Sequence, residues 1–198
     1  MSVGESFGGQ IGGSGIDAHG ATVAGLQRAL SSRLLTSAEL TAFYLDRIER
    51  LNPDLHAVIT VSPYAPGEAR ASDRARSDGQ PRGLLEGIPV LVKDNIAARG
   101  MPATAGSPAL AGAESGDAFL VARLRAAGAV ILGKANLSEW ANIRSTHSSS
   151  GWSTLGGQTA NPHGTGRNPS GSSSGSAAAV AAGLAPVAIG TETDGSII

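Results

Sequence analysis

A lysine at the end of a predicted strand is the first residue whose position suggests chemistry. The apolar run 87–93 predicts a buried strand that ends at Lys93. Ligands of open α/β sheets bind at that edge, and burial there disfavours the ammonium form, so Lys93 can act as a general base. The alternative is an ordinary strand-end lysine that pairs with Asp94.

A serine-rich segment, Ser170-Gly-Ser-Ser-Ser-Gly-Ser176, precedes an alanine-rich predicted helix over 177–184. A helix N-terminus presents free N–H groups that suit an anion or an activated hydroxyl, although helix capping and loop flexibility also explain the pattern. A Walker phosphate loop is not supported, because its lysine is absent. A G-x-S-x-G nucleophile elbow at Ser173 needs a preceding strand, which the proline-containing segment 161–169 cannot form.

The segment Gly190-Thr-Glu-Thr-Asp-Gly-Ser196 follows a predicted strand over 187–190. A serine behind a glycine at a strand end can expose its Oγ, and successive N–H groups of such a turn can converge on one point. That convergence would form an oxyanion hole, whereas the alternative is an ordinary turn.

The histidines are predicted to be surface or loop residues, because none lies beside an evident nucleophile with an orienting carboxylate, and no pair has metal-ligand spacing. They are four in number: His19, His56, His147 and His163. A serine nucleophile in this chain therefore needs a different base, and lysine is the known substitute.

Alternating strand and helix patterns predict an α/β fold with a mixed, largely parallel central sheet covered by helices. The predicted helices are Val23–Ser31, a helix from the Thr36/Glu39 capping box that ends at Asn52-Pro53, Glu68–Asp78, and Phe119–Ala127 capped by Asp117 and stopped by Gly128. The remaining predicted strands are Ala57–Val61 and Ala129–Gly133. The Ser/Gly-rich stretch 145–175 is predicted to be a shaped loop and not a linker, since it contains Trp152 and Leu155 and follows closely on Trp140.

Composition excludes several classes of protein. The chain has 198 residues, a formal net charge of -1 and no cysteine, so disulfides, thiolate nucleophiles and Cys-ligated zinc are excluded. No basic surplus indicates nucleic acid or an anionic membrane as partner. No signal peptide is recognisable, which predicts a cytoplasmic protein. Residues 1–21 are predicted to be a flexible lead-in, and the end within the apolar run Ile197-Ile198 predicts a truncated domain.

Four motifs in order resemble the amidase signature family. They are Gly87-Ile-Pro-Val-Leu-Val-Lys-Asp-Asn95, Gly157-Gln-Thr-Ala-Asn-Pro162, Gly171-Ser-Ser-Ser-Gly175 and Gly190-Thr-Glu-Thr-Asp-Gly-Ser196. The triple serine and the Thr-Glu-Thr-Asp-Gly-Ser form look most like the bacterial peptide amidase branch, since other members usually show Asp-x-Gly-Gly-Ser. The resemblance implies that residues 22–198 are the N-terminal part of a single amidase signature domain whose C-terminal part is missing.

The resemblance also implies a Ser-cisSer-Lys triad. Ser196 is the implied nucleophile, Ser172 the bridging serine behind a cis peptide bond, and Lys93 the base. A slip of one residue would move the bridging role to Ser173 or Ser174. The implied oxyanion donors are the N–H groups of Thr193, Asp194, Gly195 and Ser196, and no metal or cofactor is required.

The implied activity is hydrolysis of carboxamide C–N bonds through an acyl-enzyme, on a small-molecule or peptide amide and including C-terminal peptide amides. Two alternatives remain open. One is the glutaminase subunit of a tRNA-dependent amidotransferase, which passes ammonia to a partner. The other is a non-catalytic binding or scaffold protein that has kept the fold.

Overall fold

The computed structural model describes residues 9–17, 19–113, 115–143, 145–164 and 166–197. Its helices are α1 (Val23–Ser31), α2 (Ser37–Leu55), α3 (Ala65–Ser77), α4 (Phe119–Ala126) and α5 (Ser174–Ala181). Its strands are β1 (Val58–Val61), β2 (Pro89–Lys93), β3 (Val130–Ala135), β4 (Trp152–Ser153), β5 (Gly157–Gln158) and β6 (Val187–Ile189). Two short 3₁₀ segments lie at Pro108–Leu110 and Glu139–Asn142.

The main sheet has the strand order β1-β3-β2-β6. β2 pairs in parallel with both β3 and β6, whereas β1 pairs antiparallel with β3. Every residue of β2 and β3 is buried, as expected for parallel strands covered on both faces. The prediction of a mixed, largely parallel sheet covered by helices is confirmed.

Helices α2 and α3 pack against each other and on the sheet, and α5 packs on β2, β3 and β6. The capping box of α2 is confirmed, because Thr36 Oγ1 accepts from Glu39 N while the Glu39 carboxylate accepts from Thr36 N. The buried Arg47 of α2 donates to Gly183 O (2.8 Å) and Ala182 O (2.9 Å). A cation at the C-terminal end of α5 complements the helix dipole and fixes that end in place.

Two predicted helix boundaries were wrong. Helix α2 continues through Pro53, because a proline in the last turn removes only one backbone donor and the buried Leu55 packs into the core. The helix ends instead at His56, which has φ 50° and whose N–H donates to Asn52 O. Asp117 does not cap α4: it accepts from Arg99 N (2.8 Å) and pairs with Arg125 (3.0 Å).

Other elements differ by a few residues from the predictions. Helix α3 begins at Ala65, and its Glu68 is only partly exposed, because it pairs with Arg125 and accepts from Ile131 N of β3. Helix α5 begins at Ser174 and so includes part of the serine-rich segment. The stretch predicted to be a shaped loop contains the two-stranded sheet of β4 and β5, with Ser153 fully buried.

The predicted lead-in over 1–21 lies partly outside the described residues. In the described part, Gln10 bridges to Asp17 and Ile11 is completely buried in the hydrophobic core. Among the described residues, no helix is both long enough and apolar enough to cross a bilayer.

Close backbone contact at Gly175 is what lets α5 approach the sheet. A Cβ at this residue would lie 2.4 Å from Ala57 O and 2.5 Å from Asn136 O. The N–H of Gly175 donates to Asn136 O (3.0 Å), so the helix start is tied to the residue that follows β3. Only glycine fits here without displacing backbone atoms.

We predict that Gly175→Ala lowers the free energy of unfolding by about 1–3 kcal/mol, because the added methyl overpacks a backbone contact. Gly67→Ala in α3 is the matched control, since nothing lies within 4 Å of its Cβ position. That control should raise stability by up to about 1 kcal/mol, the usual gain from replacing a helical glycine. Urea denaturation of the complete protein that contains this sequence measures both, and equal effects of the two variants would contradict the close approach.

Candidate active site

Lys93 lies at the buried end of β2, between β3 and β6, and its side chain is completely inaccessible to solvent. Its Nζ lies 2.7 Å from Ser172 Oγ, 3.0 Å from Ser173 Oγ and 3.1 Å from Thr191 O. All three partners are neutral. Burial lowers the pKa of Lys93 to about 8, because removing the ammonium from water favours the neutral amine.

The alternative in which Lys93 pairs with Asp94 is wrong. Asp94 forms a buried ion pair with Lys134 of β3 (3.0 Å), and Lys134 also donates to Pro102 O (3.0 Å). The second Asp94 oxygen accepts from Thr104 Oγ1 and from Gly106 N. Burial lowers the pKa of Lys134 as well, but Asp94 acts in the opposite direction. Asp94, the carboxylate nearest to Lys93 in the sequence, is thus paired with Lys134.

Sequence reasoning missed this ion pair. A signal was present, because Lys93 and Lys134 are the two lysines of the chain and both end or follow a run predicted to be a buried strand. Since β2 and β3 are parallel neighbours in which Val92 faces Lys134, the two lysines reach the same edge of the sheet. Two cations at one buried edge require at least one carboxylate.

The serine-rich segment brings Ser172 to Lys93 across the peptide bond Gly171–Ser172, which is cis. Ser172 is almost completely buried, and its carbonyl accepts from Ser138 N (3.0 Å). A Cβ at Gly171 would lie 2.5 Å from Ser138 Oγ, so only glycine fits before Ser172. Ser172 Oγ lies 2.9 Å from Ser196 Oγ.

The three consecutive serines make different contacts. Ser172 alone lies between Lys93 and Ser196. Ser173 Oγ contacts Lys93 and donates to Thr191 O (3.0 Å), and Ser174 Oγ donates to Ser170 O. The contact between Ser173 and Lys93 was not foreseen from the sequence, because it depends on how α5 docks on β2.

The described residues that precede Ser173, from 166 onward, contain no strand. The nucleophile elbow at this position is therefore excluded. The histidines are all exposed, in agreement with their prediction as surface or loop residues. Within the described part of the chain, no group of three side chains is arranged to hold a metal ion.

The turn after β6 carries Ser196, which is half-buried. The Glu192 carboxylate spans this turn: it accepts from Gly195 N (3.0 Å) and from Ile197 N (2.8 Å). Ser173 N donates to Ser196 O (3.2 Å) and fixes the turn from the other side. In the sequence Glu192 was only one residue of a motif whose form differs from Asp-x-Gly-Gly-Ser, and its contacts within the turn were missed.

The expected oxyanion donors have different environments. In the part of the chain that the structure describes, the N–H groups of Thr193, Asp194 and Ser196 donate to no other group. The N–H of Gly195, by contrast, already donates to Glu192. A cleft of about 760 Å³ is lined by Gly171, Gly195 and Ser196 among others.

Comparisons with known proteins identify the family of the chain. The family model described as Amidase matches residues 39–198. A peptide amidase from Stenotrophomonas maltophilia has a solved structure that superposes with a TM-score of 0.87 at 57% identity, covering 89% of this chain and 37% of that chain.

Two curated relatives are also similar. A probable amidase of Arabidopsis thaliana is 49% identical over 182 residues, which is 90% of this chain and 36% of the relative. One subunit of the glutamyl-tRNA(Gln) amidotransferase of Chloroflexus aurantiacus is 44% identical over 181 residues, again 90% of this chain and 36% of the relative. The chain thus spans little more than a third of the length of the proteins it matches. It belongs to the amidase signature family.

Proposed function

We propose that the complete protein containing this sequence is an amidase that hydrolyses carboxamide C–N bonds, with Ser196 as nucleophile, Ser172 as bridging serine and Lys93 as base. One observation carries the proposal: Lys93 Nζ, Ser172 Oγ and Ser196 Oγ form a continuous chain with separations of 2.7 Å and 2.9 Å. Each separation is within the range of a hydrogen bond.

The base is Lys93 in its neutral form. With a pKa of about 8, roughly a tenth of the molecules carry the neutral amine at neutral pH. This fraction is sufficient for general-base catalysis, because the proton-transfer ability of an amine is greatest when its pKa lies near the working pH. A lysine that kept its ordinary pKa would be almost entirely protonated.

The bond-forming step involves two proton transfers, from Ser172 to Lys93 and from Ser196 to Ser172. Neutral Lys93 accepts the proton of Ser172, Ser172 accepts the proton of Ser196, and the Ser196 oxygen attacks the amide carbonyl carbon. The carbonyl oxygen becomes an oxyanion, which the N–H groups of Thr193, Asp194 and Ser196 receive. The N–H of Gly195 joins them only if Glu192 releases it.

The bond-breaking step returns the proton. The tetrahedral intermediate collapses, the C–N bond breaks, and the leaving nitrogen takes the proton that Lys93 returns through Ser172. This leaves an ester between the acyl group and Ser196. Water then attacks the ester with the same proton relay, and the carboxylic acid and the free enzyme are formed.

The substrate class we propose is a small-molecule or peptide carboxamide, with C-terminal peptide amides first. The similarity to the peptide amidase at 57% identity and the Thr-Glu-Thr-Asp-Gly-Ser form of the nucleophile turn support it. The similarity to the amidotransferase component, at 44% identity, supports a second candidate, a glutaminase that delivers ammonia to a partner. A non-catalytic scaffold is disfavoured, because it has no need of a hydrogen-bonded Lys93.

Ammonia release by the complete protein alone distinguishes these candidates. The panel holds C-terminally amidated dipeptides, small aliphatic and aromatic amides, and glutamine. We expect release from the amidated dipeptides without a partner. Release from glutamine alone, rising when a partner is added, would favour the amidotransferase role, and no release from any amide would refute the proposed activity.

We predict that Ser196→Ala lowers ammonia release by at least about a hundredfold without unfolding the protein, because the attacking oxygen is removed. Ser148→Ala is the control, since Ser148 is exposed and, among the described residues, its hydroxyl bonds only to the carbonyl of Ser145. Circular dichroism checks that both variants fold. Residual activity of Ser196→Ala above about one part in a hundred would move the nucleophile to the 172–174 segment.

We predict that kcat/KM rises with pH through an acid limb near pH 8, because Lys93 accepts a proton only after it has lost its own. Lys93→Arg should be inactive at every pH of the titration, since a guanidinium stays protonated. The measurement is the pH dependence of ammonia release by both proteins. A Lys93→Arg variant with the wild-type rate and the same acid limb would show that another group is the base.

A further inference from the structure

The proton arrangement around Lys93 can be worked out from its three contacts. An amine nitrogen has three positions besides its bond to Cε, and here Ser172 Oγ, Ser173 Oγ and Thr191 O occupy them. A neutral amine offers two N–H bonds and one lone pair to these three partners. Which partner meets the lone pair decides whether Lys93 can take the proton of Ser172.

The carbonyl of Thr191 can only accept, so it takes one N–H of Lys93. Ser173 is constrained as well. Its hydroxyl donates to Thr191 O (3.0 Å), and its oxygen accepts from Thr191 N (3.3 Å). Because the single proton of Ser173 is used on Thr191, this oxygen faces Lys93 with a lone pair and takes the second N–H.

The lone pair of neutral Lys93 is left to face Ser172 Oγ. Ser172 must then donate to Lys93 and accept from Ser196, which is the direction that activates Ser196. In the ammonium form the third N–H points at Ser172, and the chain runs the other way, with Ser172 donating to Ser196. The protonation state of Lys93 therefore sets the direction of both hydrogen bonds.

We propose that Ser173 is a positioning residue that, together with the carbonyl of Thr191, occupies the two N–H bonds of neutral Lys93 and so aims its lone pair at Ser172. This inference rests on the proposed role of Lys93 as base. Ser173 is well placed for it, because it is 7% exposed and lies at the N-cap of α5, and its own N–H holds the carbonyl of Ser196.

The charged groups near Lys93 are engaged elsewhere, so the Ser173 hydroxyl can affect the pKa of Lys93. On the β2–β3 side, Asp94 and Lys134 neutralise each other as an ion pair. On the β6 side, the Glu192 carboxylate accepts from two N–H groups of its own turn, and Asp194 is exposed. The first turn of α5 presents only serine hydroxyls. Lys93 thus meets neutral oxygens directly, and each of them contributes to the balance between ammonium and amine.

Ser176, in the first turn of α5, provides a matched control. It is 5% exposed, and its hydroxyl donates to Ile189 O of β6 (2.9 Å), as the hydroxyl of Ser173 donates to Thr191 O just beyond β6. Both serines tie α5 to this part of the chain. Only Ser173 also touches Lys93, so a comparison of Ser173→Ala with Ser176→Ala isolates that contact.

The experiment titrates Lys93 directly by NMR in the complete protein labelled with ¹³C at lysine Cε, the signal being assigned by its loss in Lys93→Ala. In Ser173→Ala we expect the pKa of Lys93 to fall by about one unit, because a hydrogen bond to an ammonium is stronger than one to a neutral amine. Ser176→Ala should leave that pKa unchanged. Ser173→Cys, which replaces the hydroxyl by a weak acceptor of similar shape, should shift it in the same direction and covers the case in which the alanine variant does not fold.

The pH profile of kcat/KM adds a second readout. In Ser173→Ala the acid limb should move to lower pH while the plateau falls by about tenfold or more, because more lysine is neutral but its lone pair is no longer aimed. A lower plateau with an unchanged pKa would mean that Ser173 only supports the fold, and would overturn the proposal. If the wild-type protein hydrolyses no amide, the proposed function fails, whereas an unshifted NMR titration in both Ser173 variants refutes the positioning role independently.

Discussion

Lys93 is buried at the end of β2 against three neutral oxygen atoms, and among the described residues it forms no ion pair. Transfer of an ammonium from water into such a site costs several kcal/mol, and the usual compensation is a carboxylate. Here the adjacent carboxylate, Asp94, is directed to Lys134 instead. Two lysines at one edge of the sheet thus have opposite surroundings. Lys134 is paired with a carboxylate, whereas Lys93 has only neutral partners and a pKa lowered toward neutrality.

The fold surrounds Lys93 with neutral oxygens by bringing the end of β2, the turn after β6 and the start of α5 to one edge of the sheet. Because β2 and β6 are parallel neighbours, Lys93 and the turn after β6 leave the sheet on the same side. The start of α5 then adds hydroxyls and not charges. Gly171 and Gly175 have no side chain to prevent the close approach, and Arg47 holds the far end of α5. The packing of one helix therefore decides which oxygens surround the lysine.

Local signals in the sequence predicted many of the helices and strands. The bounds of α1 and the capping box at Thr36 depend on contacts between residues three apart, and the buried strands follow from short apolar runs. The predictions from Pro53 and Asp117 were wrong. Packing of Leu55 in the core outweighed the tendency of Pro53 to end a helix, and the ion pair with Arg125 outweighed the tendency of Asp117 to cap one.

The residues of the candidate site show the same difference between local signals and tertiary packing. Lys93, Ser172 and Ser196 were identified from motifs, and the structure brings them into contact. The pairing of Asp94 with Lys134, the contact of Ser173 with Lys93 and the position of Glu192 were not foreseen. These depend on which strands are neighbours and on the angle at which α5 meets the sheet, and neither is written in the spacing of residues along the chain.

The separation of the three groups along the chain has a consequence for the unfolded polypeptide. Lys93 and Ser172 are 79 residues apart, and Ser172 and Ser196 are 24 apart, so only tertiary structure can join them. In a disordered chain the same lysine is hydrated and protonated, and the same serines are ordinary alcohols. Any unusual reactivity of these groups appears with the native sheet and disappears with it. A newly made or denatured chain accordingly lacks the hydrogen-bonded series of Lys93, Ser172 and Ser196, which exists only in molecules that have folded.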